Sequence, residues 1–156
     1  MTRRYKVLNV VLVVLVVALA SLALVLSHDS PCGTAAALPA GTTPTKAVVY
    51  RCYGSADVVK LEDMAKPTLM DDRVLIKVHA ASVNALDWHY MRGKPYIMRP
   101  MVGFGTPKDI RLGVDFAGTI EAVGRNVTRY QPGDEVFGGA DGAFAHPVPG
   151  AAGAAA

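Results

Sequence analysis

The sequence predicts a mainly β domain, a small barrel of short strands, preceded by a single membrane-spanning helix. Three observations lead there. A nearly continuous, uncharged apolar run fills residues 7–26. From residue 46 the texture changes to short alternating strands separated by turn residues roughly every 8–12 positions, the pattern of a small barrel. After residue 145 large side chains nearly vanish. The chain therefore divides into a basic flank (1–6), the apolar segment (7–26), a flexible linker (27–45), the globular part (46–145) and a disordered low-complexity tail (146–156).

The apolar segment reads VLNVVLVVLVVALASLALVL, in which only Asn9 and Ser21 are polar. Its twenty residues at a rise of about 1.5 Å match a hydrocarbon core of about 30 Å. A helix satisfies its own backbone in lipid, so the run is able to cross unaided. Arg3, Arg4 and Lys6 precede it, which predicts a cytoplasmic N-terminus with the domain on the opposite side. A cleaved signal peptide, with secretion of the domain, is the alternative. Its apolar region is usually only about 7–15 residues; of two cleavage-like triplets, Ala18-Leu19-Ala20 falls inside the run and Ala35-Ala36-Ala37 lies well past it.

Net charge is +3, from 16 basic and 13 acidic residues. Arg3, Arg4 and Lys6 account for that excess, so the globular part is neutral and nothing points to nucleic acid. Two cysteines, Cys32 and Cys52, are too few for a disulfide framework. They read as two unrelated thiols, with a single bridge open only in an oxidising compartment.

The linker, SHDSPCGTAAALPAGTTPT, has no hydrophobic period. Strands follow at Ala47–Tyr50 and Val58–Asp63, the second alternating with Val59 and Leu61 on one face and Lys60 and Glu62 on the other. Arg73 to Ala80 is the clearest strand, with Val74, Ile76, Val78 and Ala80 on one face. Asn84 to Met91 fits a short helix that Gly93 stops. Residues 94–112 hold Pro95, Pro100, Pro107, Gly103 and Gly105 and read as an irregular loop. They are apolar for a loop (Tyr96, Ile97, Met98, Met101, Val102, Phe104), the composition of a pocket rim. Phe116–Val123 and Glu135–Phe137 are further strands. The tail HPVPGAAGAAA reads as disordered, or as translation out of frame.

Five blocks, KAVVYRCYGSADVVKLED, VLIKVHAASVNALDWHYMRG, LGVDFAGTIEAVG, YQPGDEVFG and GAFA, occur in an order and spacing that resembles the N-terminal half of medium-chain dehydrogenase/reductases. The likeness is to zinc-independent NAD(P)-dependent alcohol dehydrogenases and quinone oxidoreductases, and it spans residues 46–145. It implies a partial GroES-like β-barrel and hydride transfer from NAD(P)H to a carbonyl, quinone or enone, the cofactor carrying the hard step. Zinc-using members place a Cys where Asn84 stands and Gly-His-Glu where Gly113-Val114-Asp115 stands. An amide and a valine cannot replace thiolate and imidazole, so no zinc is expected. The four histidines show no metal spacing.

The resemblance places Asn84 and Asp87 at the cleft as catalytic candidates, and Asn84, Phe137 and Gly138 against the cofactor. Trp88, Tyr90, Tyr96 and Phe104 would wall an apolar substrate pocket. Each has a structural alternative. Asn84 caps the short helix. Asp87 braces the loop through an internal hydrogen bond. Trp88 is better read as core. The family's glycine-rich dinucleotide turn does not occur in these residues. Gly138-Gly139-Ala140-Asp141-Gly142 lacks the following helix and the βαβ frame. The expectation is thus an oxidoreductase catalytic-domain fragment, inactive without its cofactor-binding half. A membrane-tethered binding module and a truncated, non-functional product are the alternatives, the former needing a protein partner.

Overall fold

A computed structural model describes residues 3–151. Helix α1 (Arg3–Ser27) is followed by strands β1 (Pro44–Tyr50), β2 (Val59–Ala65) and β3 (Arg73–Ser82), then helices α2 (Ala85–Arg92) and α3 (Arg99–Val102), then β4 (Asp115–Val123), β5 (Glu135–Gly139) and β6 (Val148–Ala151). The outcome is a mostly β domain behind one long apolar helix. That helix has the length and composition to cross a membrane, a test that a signal sequence also passes. Its side chains from 4 to 25 are exposed.

Four strands form one antiparallel sheet in the order β5-β4-β3-β6, and β1 and β2 form a separate hairpin. The alternation expected in β3 holds only from Val74 to Val78: Leu75 on the other face is buried as well, and Ala80, beyond the bulge, is exposed. Val74 and Ile76 point into a core completed by Phe116, Ile120, Tyr130, Val136, Ala143 and Val148, with Val78 packed against it. Bulges after Leu75 and after Val78 shift the register against β4, which bends the sheet around that core. The hairpin joins the sheet's loops through backbone bonds: Tyr50 N–H donates to Ile110 O (2.8 Å), Leu112 N–H to Val48 O (2.9 Å) and Val48 N–H to Phe144 O (3.2 Å).

β2 alternates as expected, with Val59 packed against the core and Leu61 exposed on one face, and Glu62 and Met64 half-buried on the other. Glu62 is held there by Arg51 at 2.7 Å. Five expectations are corrected. Residues 94–112 are not wholly irregular: a 3-10 turn (Tyr96–Met98) runs into α3, with Pro100 in its first turn, where a missing N–H costs nothing. The linker is not free at its start. Ser30 N–H donates to Gly105 O at 3.0 Å, and Asp29 forms a bridge with Gly105. Cys32 and Cys52 are joined in a disulfide rather than standing as unrelated thiols, because the end of β1 lies beside that pinned segment. Residues 146–151 are no tail. Val148–Ile76 to Ala151–Arg73 pair antiparallel, and Val148 is fully buried. β3 offers a free edge, and Gly150 admits Ile76, whose Cδ1 lies 2.4 Å from where a Cβ would sit. The rest of the expected tail, residues 152–156, lies outside the described residues. Lastly, Trp88 is not core: it is 48% exposed, with the Arg92 guanidinium 5.7 Å from its ring centre.

Candidate functional site

The site begins at the junction of β3 and α2. Asn84 is extended (φ −127°, ψ 178°) and caps α2. Its side chain and that of Asp87 satisfy each other's backbone N–H groups as a capping box. Asn84 Oδ1 accepts from Leu86 N–H at 2.7 Å and from Asp87 N–H at 3.3 Å, and Asp87 Oδ2 accepts from Asn84 N–H at 2.8 Å. Asn84 Nδ2 donates to Asp115 Oδ2 at 2.7 Å, and Ser82 Oγ donates to the same oxygen at 3.4 Å. Asp87 is buried, and its Oδ1 has no hydrogen-bond partner among the described residues. Helix α2 ends at Gly93 in the left-handed conformation (φ 59°). A Cβ there would lie 2.6 Å from the Tyr53 ring, so glycine serves both the turn and the close packing.

Asp115 pairs across the sheet with Gly139, and Phe116 with Gly138. This brings Asn84, Asp87 and Gly138 to one end of the sheet. Phe137 is 58% exposed and borders a shallow groove with His79, Gly118 and Thr119. Tyr90, one turn along α2, lines a cleft of about 310 Å³ with Tyr50, Met101, Arg111 and Asp141. A larger cleft of about 660 Å³ lies behind the same wall of Asp109, Arg111 and Asp141 and reaches Gly139. Tyr96 and Phe104 line neither cleft. Tyr96 stacks on the Arg99 guanidinium at 4.8 Å, and Phe104 stands 53% exposed. Trp88 is likewise outside both clefts.

Electrostatics sharpen the cleft. Burial, joined by nearby Tyr53, Asp109, Tyr90 and Asp141, pushes the Tyr50 phenol well above the ordinary tyrosine value. Burial also raises Tyr90, with Asp141 and Asp87 adding to it. Burial would raise Asp109 as well, but hydrogen bonds from the Arg111 side chain and N–H prevail and hold it below the usual carboxylate range. The cleft thus presents neutral phenols beside a fixed ion pair. Such a surface donates hydrogen bonds to an oxygen without competing for protons.

Sequence reasoning missed three features. Asp115, the partner of Asn84, was legible only as the end of a replaced motif. The Asp109–Arg111 pair lay inside a stretch read as rim. Arg99, fully buried, gave no signal except a cation among apolar neighbours. Among the described residues no group of three or more His, Cys, Asp or Glu is placed to hold a metal.

Comparison with known proteins decides the family. The profile of the alcohol dehydrogenase GroES-like domain matches residues 70–150. The chain belongs to this family. Within it the domain is similar to the quinone oxidoreductases of the medium-chain dehydrogenase/reductases. It is 43% identical over 86 residues to the quinone oxidoreductase of Sus scrofa, a match covering 54% of this chain and 24% of the pig protein. The quinone oxidoreductase from Coxiella burnetii superposes with a TM-score of 0.60 at 29% identity, over 70% of this chain and 35% of that one. A mycobacterial relative solved with NADPH superposes at 0.56 with 26% identity, over 69% of this chain and 30% of that chain. The GroES-like domain thus spans about a third or less of the relatives it matches.

Proposed function

We propose that this chain is the substrate-side part of a zinc-independent quinone oxidoreductase-type enzyme. It would accept hydride from a reduced nicotinamide onto a quinone, carbonyl or enone, and it is held at a membrane by α1. The observation that carries the reading is the Asn84–Asp87–Asp115 network, set in a domain 43% identical to a quinone oxidoreductase. Asn84 occupies the position of a family zinc ligand, and its carbonyl and amide are committed to the α2 cap and to Asp115. Val114 offers no donor at all. The donor set therefore supports chemistry without a metal.

The residues present fit the nicotinamide end of the cofactor. Phe137 offers an exposed aromatic face, and Gly138 and Gly139 leave the strand bare of side chains beside Asp115. Nothing there fits a pyrophosphate, which calls for a glycine-rich turn at a helix N-terminus. When bound, the reduced nicotinamide supplies the hydride. The protein's part is orientation and polarisation. Asn84 has a second amide hydrogen for a carboxamide or substrate oxygen, Asp87 and Asp115 hold Asn84 in place, and the neutral Tyr90 phenol donates toward an oxygen in the cleft. By themselves these 156 residues are expected to leave NADPH unconsumed.

Helix α1 is exposed along its length and apolar all round, the signature of a helix solvated by lipid. The basic flank sets the domain on the non-cytoplasmic side, and the Cys32–Cys52 disulfide agrees with an oxidising compartment there. The site is tested by titrating reduced nicotinamide mononucleotide into isotope-labelled protein in lipid nanodiscs. Amide shifts centred on Asn84, Phe137 and Gly138 are expected. Saturable shifts elsewhere, or none, would overturn the assignment.

A further inference from the structure

Arg99 is fully buried yet its partners come from far along the chain. Its Nε donates to Gly93 O (3.0 Å), one terminal nitrogen to His28 O (2.6 Å) and the other to Asp29 Oδ1 (2.6 Å). Its guanidinium carbon lies 4.5 Å from the Tyr53 ring centre and 4.8 Å from that of Tyr96. Ser30 adds the backbone bond to Gly105, and a Cβ on Gly105 would stand 2.5 Å from Ser30 Oγ, so glycine lets the two segments touch. The residues directly after α1 are thereby fastened to the segment 96–105.

That attachment fixes a height. Helix α1 ends at Ser27, and His28 and Asp29 follow at no more than about 3.6 Å each. The turn Tyr96–Met98 itself comes within 8 Å of α1, Cα to Cα. The segment so held carries side chains that nothing in the described protein covers: Ile97 is 80% exposed, Met101 79% and Phe104 53%. Lys94 and Lys108 flank them, with Lys94 5.7 Å from the Tyr96 ring centre and Lys108 donating to Pro100 O at 2.9 Å. Apolar side chains rimmed by lysines suit the boundary between headgroups and acyl chains.

We infer that Ile97, Met101 and Phe104 seat in the lipid interface of the bilayer that α1 crosses, so that Arg99 acts as the rivet between anchor and membrane-resting loop. The inference rests on the reading of α1 as an anchor. Met101 also lines the cleft beside Tyr90. The mouth of that cleft then lies at the lipid surface, the level at which an apolar-tailed quinone resides.

The test uses the full chain in phosphatidylcholine–phosphatidylglycerol nanodiscs containing brominated lipids, with Trp88→Phe removing the single native tryptophan. Reporter tryptophans are introduced one at a time as Ile97→Trp, Leu61→Trp and Leu15→Trp. Leu61 is exposed on the β1–β2 hairpin and serves as the control for a lipid-remote surface. Shallow bromines are expected to quench most of the emission at position 97, with a blue shift, and to leave position 61 unchanged. Deep bromines are expected to quench position 15. Quenching at 15 without quenching at 97 overturns the loop's seating and leaves the anchor standing. Absence of quenching at 15 overturns the anchor and the seating with it. Equal quenching at 97 and 61 overturns the seating as a specific contact.

Discussion

At the scale of single residues, Asn84 was readable as a cap because an Asn directly ahead of a helical pattern is a preferred N-cap; that Asp87 completes a capping box came from the structure. The structure adds that the same amide reaches Asp115 at 2.7 Å, a partner 31 positions away that no local pattern announces. Asn84→Ala is expected to cost about 1–2 kcal/mol, the range of a lost N-cap. Asn84→Ser, which keeps a capping oxygen but loses Asp115, is expected to fall between. Urea unfolding of the two variants against the native protein checks this. Tyr50 gives a pH prediction. Burial, chiefly, raises its folded value, so the folded state keeps a proton that the unfolded state releases near pH 10. The stabilisation is complete below pH 10 and is lost as pH rises from there toward the folded value. In Tyr50→Phe the alkaline loss of stability is expected to be shallower, with little change at neutral pH, as thermal unfolding across pH 8 to 12 would read.

At the scale of elements, legibility followed side-chain pattern. β3 was clear because Val74, Ile76 and Val78 alternate with Lys77 and His79, and α2 was bounded by Asn84 and Gly93. β6 was illegible because Pro, Gly and Ala carry no pattern of their own. Its burial is imposed by β3, whose free edge and apolar face it covers. The residue that shows this is Val148, fully buried against the main core. Val148→Ala is expected to lower stability by on the order of 2 kcal/mol through the lost contacts and the cavity left behind. An effect near zero by chemical denaturation would return residues 146–151 to the status of a tail. The turn and α3 within residues 94–112 escaped for a different reason: their order comes from Arg99, whose partners lie in Gly93, His28 and Asp29.

For the whole molecule, the family and its mostly β fold were legible because five blocks in fixed order are a strong constraint. The position of the domain against its helix was not. It depends on the Arg99 rivet and on the Cys32–Cys52 bond, which join segments 20 and 70 residues apart. As proposed above, this domain supplies the substrate side of quinone reduction. The most direct test is a chimera in which residues 46–151 replace the corresponding segment of the Sus scrofa quinone oxidoreductase, assayed for quinone-dependent consumption of NADPH. Turnover is expected, and Asn84→Ala is expected to reduce it sharply. A folded chimera that binds NADPH yet reduces no quinone, carbonyl or enone would contradict the proposal.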